Sequence, residues 1–226
     1  MKVLVVAAHP DDEVLGCGGT MAMHAARGDK VSVLILAEGL TSRGTGKGCK
    51  KRLGELAKAA RRANAKLGVS QVELLGLPDN RLDSLDRLDV VQAVETVVAR
   101  VRPDTVYTHH AGDLNLDHQI THEAVATACR PLPGQCVRQI LCFEVPSSTE
   151  WRLQGAGAGF QPNWYVDIGK GLDAKVAALE AYAMEMRPWP HARSCEALVH
   201  LARWRGASVG VEAAEAFVLG RRLEVL

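Results

Sequence analysis

Continuous apolar runs and helically spaced apolar positions alternate along the first half of the chain. Residues 2–8 (KVLVVAA) form a short apolar run ending in polar residues, the pattern of a strand buried on both faces. Residues 14–27 follow at helical spacing and stop at Gly28-Asp29. Residues 30–37 hold a second apolar run, VSVLILA. Residues 38–50, rich in glycine, threonine and serine, read as a mobile loop. A helix over 52–67 stopped by Gly68, a strand over 71–75, a turn at Leu77-Pro78-Asp79-Asn80, a helix over 85–101 stopped by Pro103, a strand over 105–108 and a helix over 119–129 complete four strand–helix units. The second half is less regular. It predicts strands over 137–143, 164–168 and 216–219, helices over 172–186 and 194–205, and a loop at the glycine-rich stretch 155–159.

Four strand–helix units in succession imply an α/β fold, a doubly wound, mostly parallel, Rossmann-like sheet flanked by helices. No linker or repeat interrupts the pattern, so a single domain over 1–226 is expected. Composition changes this picture little: 47% of the 226 residues are apolar, which is enough to build a core. Lys+Arg (27) and Asp+Glu (26) leave a net charge of +1, which argues against a dedicated nucleic-acid surface. No apolar run is long enough to span a bilayer, and His9-Pro10-Asp11 follows the first apolar run where a signal peptide would carry a cleavage site. The six cysteines are scattered without a C-x-x-C pair, which favours reduced thiols and a cytoplasmic location.

Ligands of open α/β sheets bind outside the carboxyl ends of the strands, where strand order reverses. In the common order 3-2-1-4-5, strands one and four meet at that point. His9-Pro10-Asp11-Asp12-Glu13 follows strand one, and the run from His109 to His118 follows strand four. These are the densest His/Asp clusters in the chain. Catalytic zinc takes three protein ligands and keeps one position for water. His9 and Asp12 can chelate one ion, and His118 is the natural third ligand. Asp11 then has no ligand duty and is placed to take a proton from the bound water.

Ala8–Glu13 (AHPDDE) and the D-x-x-x-D-H run of Asp113 to His118 closely resemble the LmbE-like, or PIG-L, family of zinc-dependent N-acetyl-sugar deacetylases. The resemblance continues through LPDN (77–80), FEVPSSTEW (143–151) and RPWPHARS (187–194). It implies zinc held by His9, Asp12 and His118, with Asp11 as general base. Several members carry H-P-D-H around the third ligand, and its first His assists the tetrahedral intermediate. Here the run is Asn115-Leu116-Asp117-His118. Asn115 can donate a hydrogen bond to an oxyanion but cannot be a general acid. That leaves the proton donor open among Asp11, His109, His110 and His191. Asp117 is expected to orient a neighbouring group.

The rim of the site is expected to include Arg43, Glu144, His191 and Arg193. The two arginines would hold an anionic appendage of the sugar and Glu144 a sugar hydroxyl. A solvated Arg43, an ion-paired Glu144 and plain loop roles for His191 and Arg193 are the competing readings. His24, His122 and His200 read as structural. The expected partner is a small amino-sugar substrate, with homo-oligomers left open. Three other classes compete with this reading. A metal-dependent amidase acting on a non-sugar or thiol-conjugate amide keeps the same site. A magnesium-binding receiver module does not need His9 and His118 aimed at one point. A dinucleotide-binding oxidoreductase lacks G-x-G-x-x-G between strand one and its helix, since Gly16-Cys17-Gly18-Gly19 falls within the helical pattern.

Overall fold

In strand β1 (Lys2–Ala7) every residue after Lys2 is buried, and the side chains alternate between two cores. Val3 and Val5 enter one, Leu4 and Val6 the other, and β2 (Lys30–Ala37) does the same with Val33 and Ile35 against Leu34 and Leu36. Strands buried on both faces belong inside a parallel sheet covered by helices. The computed structural model describes residues 1–43, 48–69, 71–153 and 159–224, without the Arg43 side chain. Its further elements are α1 (Asp12–Ala26), α2 (Cys49–Lys66), β3 (Gln71–Leu77), α3 (Arg87–Val101), β4 (Thr105–His109), α4 (Leu116–Ala128), β5 (Gln139–Phe143), β6 (Trp164–Asp167), α5 (Leu172–Ala181), α6 (Cys195–Ala207) and β7 (Ala214–Arg222).

The strands form one seven-stranded sheet in the order β3-β2-β1-β4-β5-β7-β6. The first five are parallel. β7 enters antiparallel between β5 and β6, so the sheet is mixed at this edge. The expected mostly parallel, doubly wound α/β sheet is therefore present. Of the glycine-rich stretch 155–159 only Gly159 is described, and 44–47 of the loop after β2 also lie outside the described residues.

Local differences have local causes. α4 begins at Leu116, earlier than expected, because Asn115 caps it: the Asn115 side chain accepts the Asp117 N–H at 2.8 Å. α5 ends at Ala181 and does not reach Met186. The Tyr182 carbonyl instead accepts from Glu185 N–H at 2.8 Å and Met186 N–H at 3.2 Å, turning the chain back toward the site.

α1 is kinked at Cys17 (φ −147°, ψ 26°). Its glycines permit close packing: a Cβ on Gly16 would stand 2.3 Å from the Phe143 ring, and one on Gly19 2.7 Å from Ile168. The backbone groups freed at the kink are satisfied by a buried ion pair. Glu215 accepts from Gly19 N–H (2.9 Å) and Thr20 N–H (2.7 Å). Lys175 donates to the Leu15 carbonyl (2.9 Å) and lies 2.6 Å from Glu215. Removing one partner of a buried pair strands the other charge. Lys175→Met will therefore destabilise the fold by about 3–5 kcal/mol. A urea titration with an unchanged midpoint would contradict this account of the kink.

Candidate metal and catalytic site

β1 and β4 are neighbours in the sheet, and their carboxyl ends bring the two His/Asp clusters together. Asp12 Oδ2 lies 3.2 Å from His9 Nδ1 and 3.2 Å from His118 Nε2. His9, Asp12 and His118 offer ligand atoms within 4.8 Å of one another. Asp12 is fully buried, and its Oδ1 has no hydrogen-bond partner among the described residues. The far nitrogen of each imidazole meets a carboxylate, the arrangement that orients metal-ligating histidines. His9 Nε2 is 3.1 Å from Asp117 and 3.3 Å from Asp79. His118 Nδ1 is 3.1 Å from Asp113.

These outer carboxylates are themselves held. Asp117 accepts from Leu82 N–H at 3.0 Å, and Asp79 from Ser42 N–H at 3.1 Å. Asp113 accepts from the Thr149 hydroxyl at 2.5 Å and from the Ser148 hydroxyl. His9, Asp79 and Asp117 also offer ligand atoms within 4.8 Å of one another. Asp79 and Asp117 are engaged by backbone donors, as Asp12 Oδ2 is by the His9 N–H at 2.9 Å, and the Asp79 and Asp117 carboxylates both face the same nitrogen of His9, Nε2.

Burial alone would lower the pKa of both imidazoles. Asp117 and Asp12 outweigh it at His9, raising it to about 10, and Asp12 and Asp113 raise His118 to about 9. Asp12 moves the other way. Burial opposes its charge, but His118 and His9 hold it well below the usual carboxylate range. Burial and the neighbouring His118 keep His109 neutral. Its Nε2 accepts the Ala8 N–H at 2.8 Å, and its ring stacks on His118 with centroids 3.9 Å apart. His109 thus packs against His118 and closes the end of β4.

Asp11 stands beside this group at φ 112°. Its Oδ2 is 2.9 Å from Arg193 Nη1, and Arg193 Nε donates to the Ser147 hydroxyl at 2.6 Å. Burial pushes the Asp11 carboxyl up to about 8 against the pull of Arg193. A cavity of about 90 Å³ opens over the group, lined by His9, Asp11, Asn115 and Arg193 together with Asp79, Asn80 and Glu185. Asn115 Nδ2 reaches Asn80 Oδ1 at 3.0 Å. A larger hollow of about 840 Å³ at the opposite end of the sheet holds none of the His/Asp clusters.

The expected rim is only partly assembled. Glu144 does not line the small cavity. It forms a two-pronged pair with Arg205 at 2.8 Å for each contact, the competing ion-pair reading. Arg193 lines the cavity, but its guanidinium is committed to Asp11 and Ser147. His191 accepts the Arg193 N–H at 3.0 Å and meets Trp151 edge-on, with ring centroids 5.9 Å apart. The Arg43 side chain lies outside the described residues. His24 bonds to Asp29 (2.8 Å) and Tyr107 (2.9 Å), and His122 to the His109 carbonyl (2.9 Å), so both are structural. Sequence reasoning assigned no role to Glu13, Asp79, Asp113 or Glu185. The first three lie inside motifs it had singled out, whereas nothing marked Glu185.

A family profile described as PIG-L: GlcNAc-PI de-N-acetylase matches residues 4–129. The chain belongs to the PIG-L family. The match holds both His/Asp clusters, though not Arg193. The Escherichia coli K12 protein named uncharacterized deacetylase YaiS is 30% identical over 151 residues, covering 65% of this chain and 75% of that protein. The N,N'-diacetylchitobiose deacetylase of Pyrococcus horikoshii superposes with a TM-score of 0.78 at 21% identity, covering 97% of this chain and 84% of that one. GalB, the 4-carboxy-2-hydroxymuconate hydratase of Pseudomonas putida KT2440, superposes with a TM-score of 0.76 at 25% identity, covering 100% of this chain and 99% of that one. No helix among the described residues is long and apolar enough to cross a membrane.

Proposed function

We propose that this PIG-L family member is a zinc-dependent hydrolase that removes the acetyl group from an N-acetylated amino sugar, with Asp11 as general base. The observation that carries the reading is the convergence of His9, Asp12 and His118, with Asp11 beside that group and outside it. The donor set suits a divalent ion: two nitrogens and the one carboxylate of Asp12, whose Oδ1 is buried and has no hydrogen-bond partner among the described residues. The mixed N/O set favours zinc. When bound, the ion supplies Lewis acidity, which makes a water acidic and polarises an amide carbonyl.

The chain's own residues do the rest. Asp117 and Asp79 fix the His9 ring, and Asp113 fixes His118. Asp11 accepts the proton of the attacking water and returns it to the leaving amine. Because the Asn115 oxygen is engaged as helix cap and one N–H of its NH₂ group reaches Asn80, the second N–H is the one left to donate to the developing oxyanion. Acetate release from N-acetylglucosamine, N,N'-diacetylchitobiose and a nucleotide-diphosphate N-acetylglucosamine, assayed beside a non-sugar acetamide, tests the substrate class. Turnover of the non-sugar amide alone would replace the sugar reading with the amidase one. The hydratase name of the P. putida neighbour favours one further reading, water addition to an unsaturated carboxylic acid. That activity without acetate release would overturn the deacetylase assignment.

Arg193 is assigned to Asp11 and not to an anionic appendage. A charge-assisted hydrogen bond contributes about 1.5–3 kcal/mol. Arg193→Ala will accordingly lower kcat by about 10- to 10²-fold with little change in KM. A rise in KM confined to phosphorylated substrates would return Arg193 to substrate recognition.

A further inference from the structure

Both ends of the Asp11 residue are pinned. Its carbonyl accepts from Val14 N–H (3.0 Å) and Leu15 N–H (2.9 Å), the first bonds of α1. Its N–H donates to Glu13 Oε2 at 3.1 Å. Between these anchors the backbone stands at φ 112°, ψ −30°. Asn80 and Arg102, at φ 51°, fall within the φ range of the left-handed well. Asp11 lies far beyond it. A non-glycine residue keeps such a conformation only where its surroundings over-determine it.

The Glu13 side chain is fixed in turn from two other elements. Its Oε1 accepts from the Tyr182 hydroxyl at 2.6 Å and from Asn64 Nδ2 at 2.8 Å. Asn64 also donates to the Ala60 carbonyl at 2.9 Å, tying the contact to α2, and Tyr182 follows the end of α5. All three side chains are fully buried. A leucine would fill the same space without a buried carboxylate, which is costly to desolvate. The acceptor for the Asp11 N–H is what only the polar side chain supplies. With one peptide plane held at that N–H and the next held at the Asp11 carbonyl, φ and ψ of Asp11 are confined together, and with them the direction of its Cα–Cβ bond.

We propose that Glu13, braced by Tyr182 and Asn64, is a positioning residue that holds the Asp11 backbone in its strained conformation and thereby aims the Asp11 carboxylate into the cavity. The proposal rests on Asp11 being the general base. It is tested by crystal structures of Glu13→Leu, Glu13→Gln and Tyr182→Phe. On the same zinc-loaded preparations, zinc content and acetate release from N,N'-diacetylchitobiose are measured.

In Glu13→Leu the Asp11 backbone is expected to leave positive φ, and kcat to fall at least about tenfold with KM within about twofold and zinc content unchanged. Glu13→Gln, whose amide oxygen still accepts the Asp11 N–H, recovers part of the loss. In an Asp11→Asn background Glu13→Leu costs nothing more, because both act through one group. Asp11 remaining near φ 112° in Glu13→Leu, or a kcat loss matched by zinc loss, overturns the proposal. Should Glu13→Leu not fold, Tyr182→Phe removes one donor and leaves the space filled. An unmoved Asp11 and unchanged kcat in that variant overturn it equally. Full activity in zinc-loaded Asp11→Asn would instead remove the general-base reading, and the backbone of Asp11 in the Glu13 variants would still decide whether Glu13 holds it.

Discussion

Asp11→Asn will retain bound zinc and lose at least about 10²-fold in kcat, the scale of a missing general base. The substitution is nearly isosteric and leaves His9, Asp12 and His118 in place. It removes only the capacity to take a proton, together with the charge that Arg193 holds at 2.9 Å. An amide oxygen can still accept from Arg193, so the guanidinium keeps a hydrogen-bond partner and the cavity its shape. His118→Ala separates the two roles. It deletes a proposed ligand and the ring that stacks on His109, so it should lower zinc content along with activity. Elemental analysis beside steady-state kinetics on the three proteins checks both statements. Near-full activity in zinc-loaded Asp11→Asn would show that the proton goes elsewhere, with His191 and Glu185 the next groups to examine.

The central site was legible because its residues depend on the simplest features of the fold. β1 and β4 announce themselves as apolar runs, and an α/β crossover places them side by side. Whatever follows them in sequence, here His9 to Glu13 and His109 to His118, must then share one crevice. The outer residues depend on side-chain direction, which periodicity does not encode. Glu144 follows β5 and was expected to face the crevice. It takes the opposite partner, Arg205 of α6, because that helix packs beside β7 at the antiparallel edge, and nothing in the strand pattern located α6. The sequence offers Arg193 as a rim contact for an anionic appendage, whereas in the structure its partner is Asp11. That contact requires α5 to stop at Ala181 so that the chain can return, whereas the apolar spacing continued to Met186. Glu13 was hidden for a third reason. A glutamate in the first turn of a helix reads as a solvent-facing complement to the helix dipole. Only the approach of Asn64 from α2 and Tyr182 after α5 turns it into a buried brace.

Zinc affinity should rise steeply with pH through neutrality, by a larger factor than any single substitution considered above. In the metal-free site the His9 imidazole is raised to about 10 and that of His118 to about 9, because Asp117, Asp12 and Asp113 surround them and outweigh burial. Both rings therefore carry protons at neutral pH, and a metal can bind only by displacing them. Below about pH 9 two protons leave per ion bound, so the logarithm of the association constant climbs by up to two per pH unit. From pH 6 to pH 8 that amounts to as much as about 10⁴-fold. Above about pH 10 the slope vanishes. The same two groups stabilise the metal-free fold: their contribution is complete below the ordinary imidazole value of about 6.5 and is lost as pH rises through 9 to 10. Metal-free protein should thus lose thermal stability toward alkaline pH just where it gains affinity for zinc. Competition with a chelator of known pH dependence measures the slope, and calorimetry in buffers of different ionisation enthalpy counts the protons released. A slope near zero between pH 6 and pH 8 would mean that both imidazoles are already neutral. The carboxylates of Asp113 and Asp117 would then act as acceptors for neutral N–H groups and not as partners of two cations.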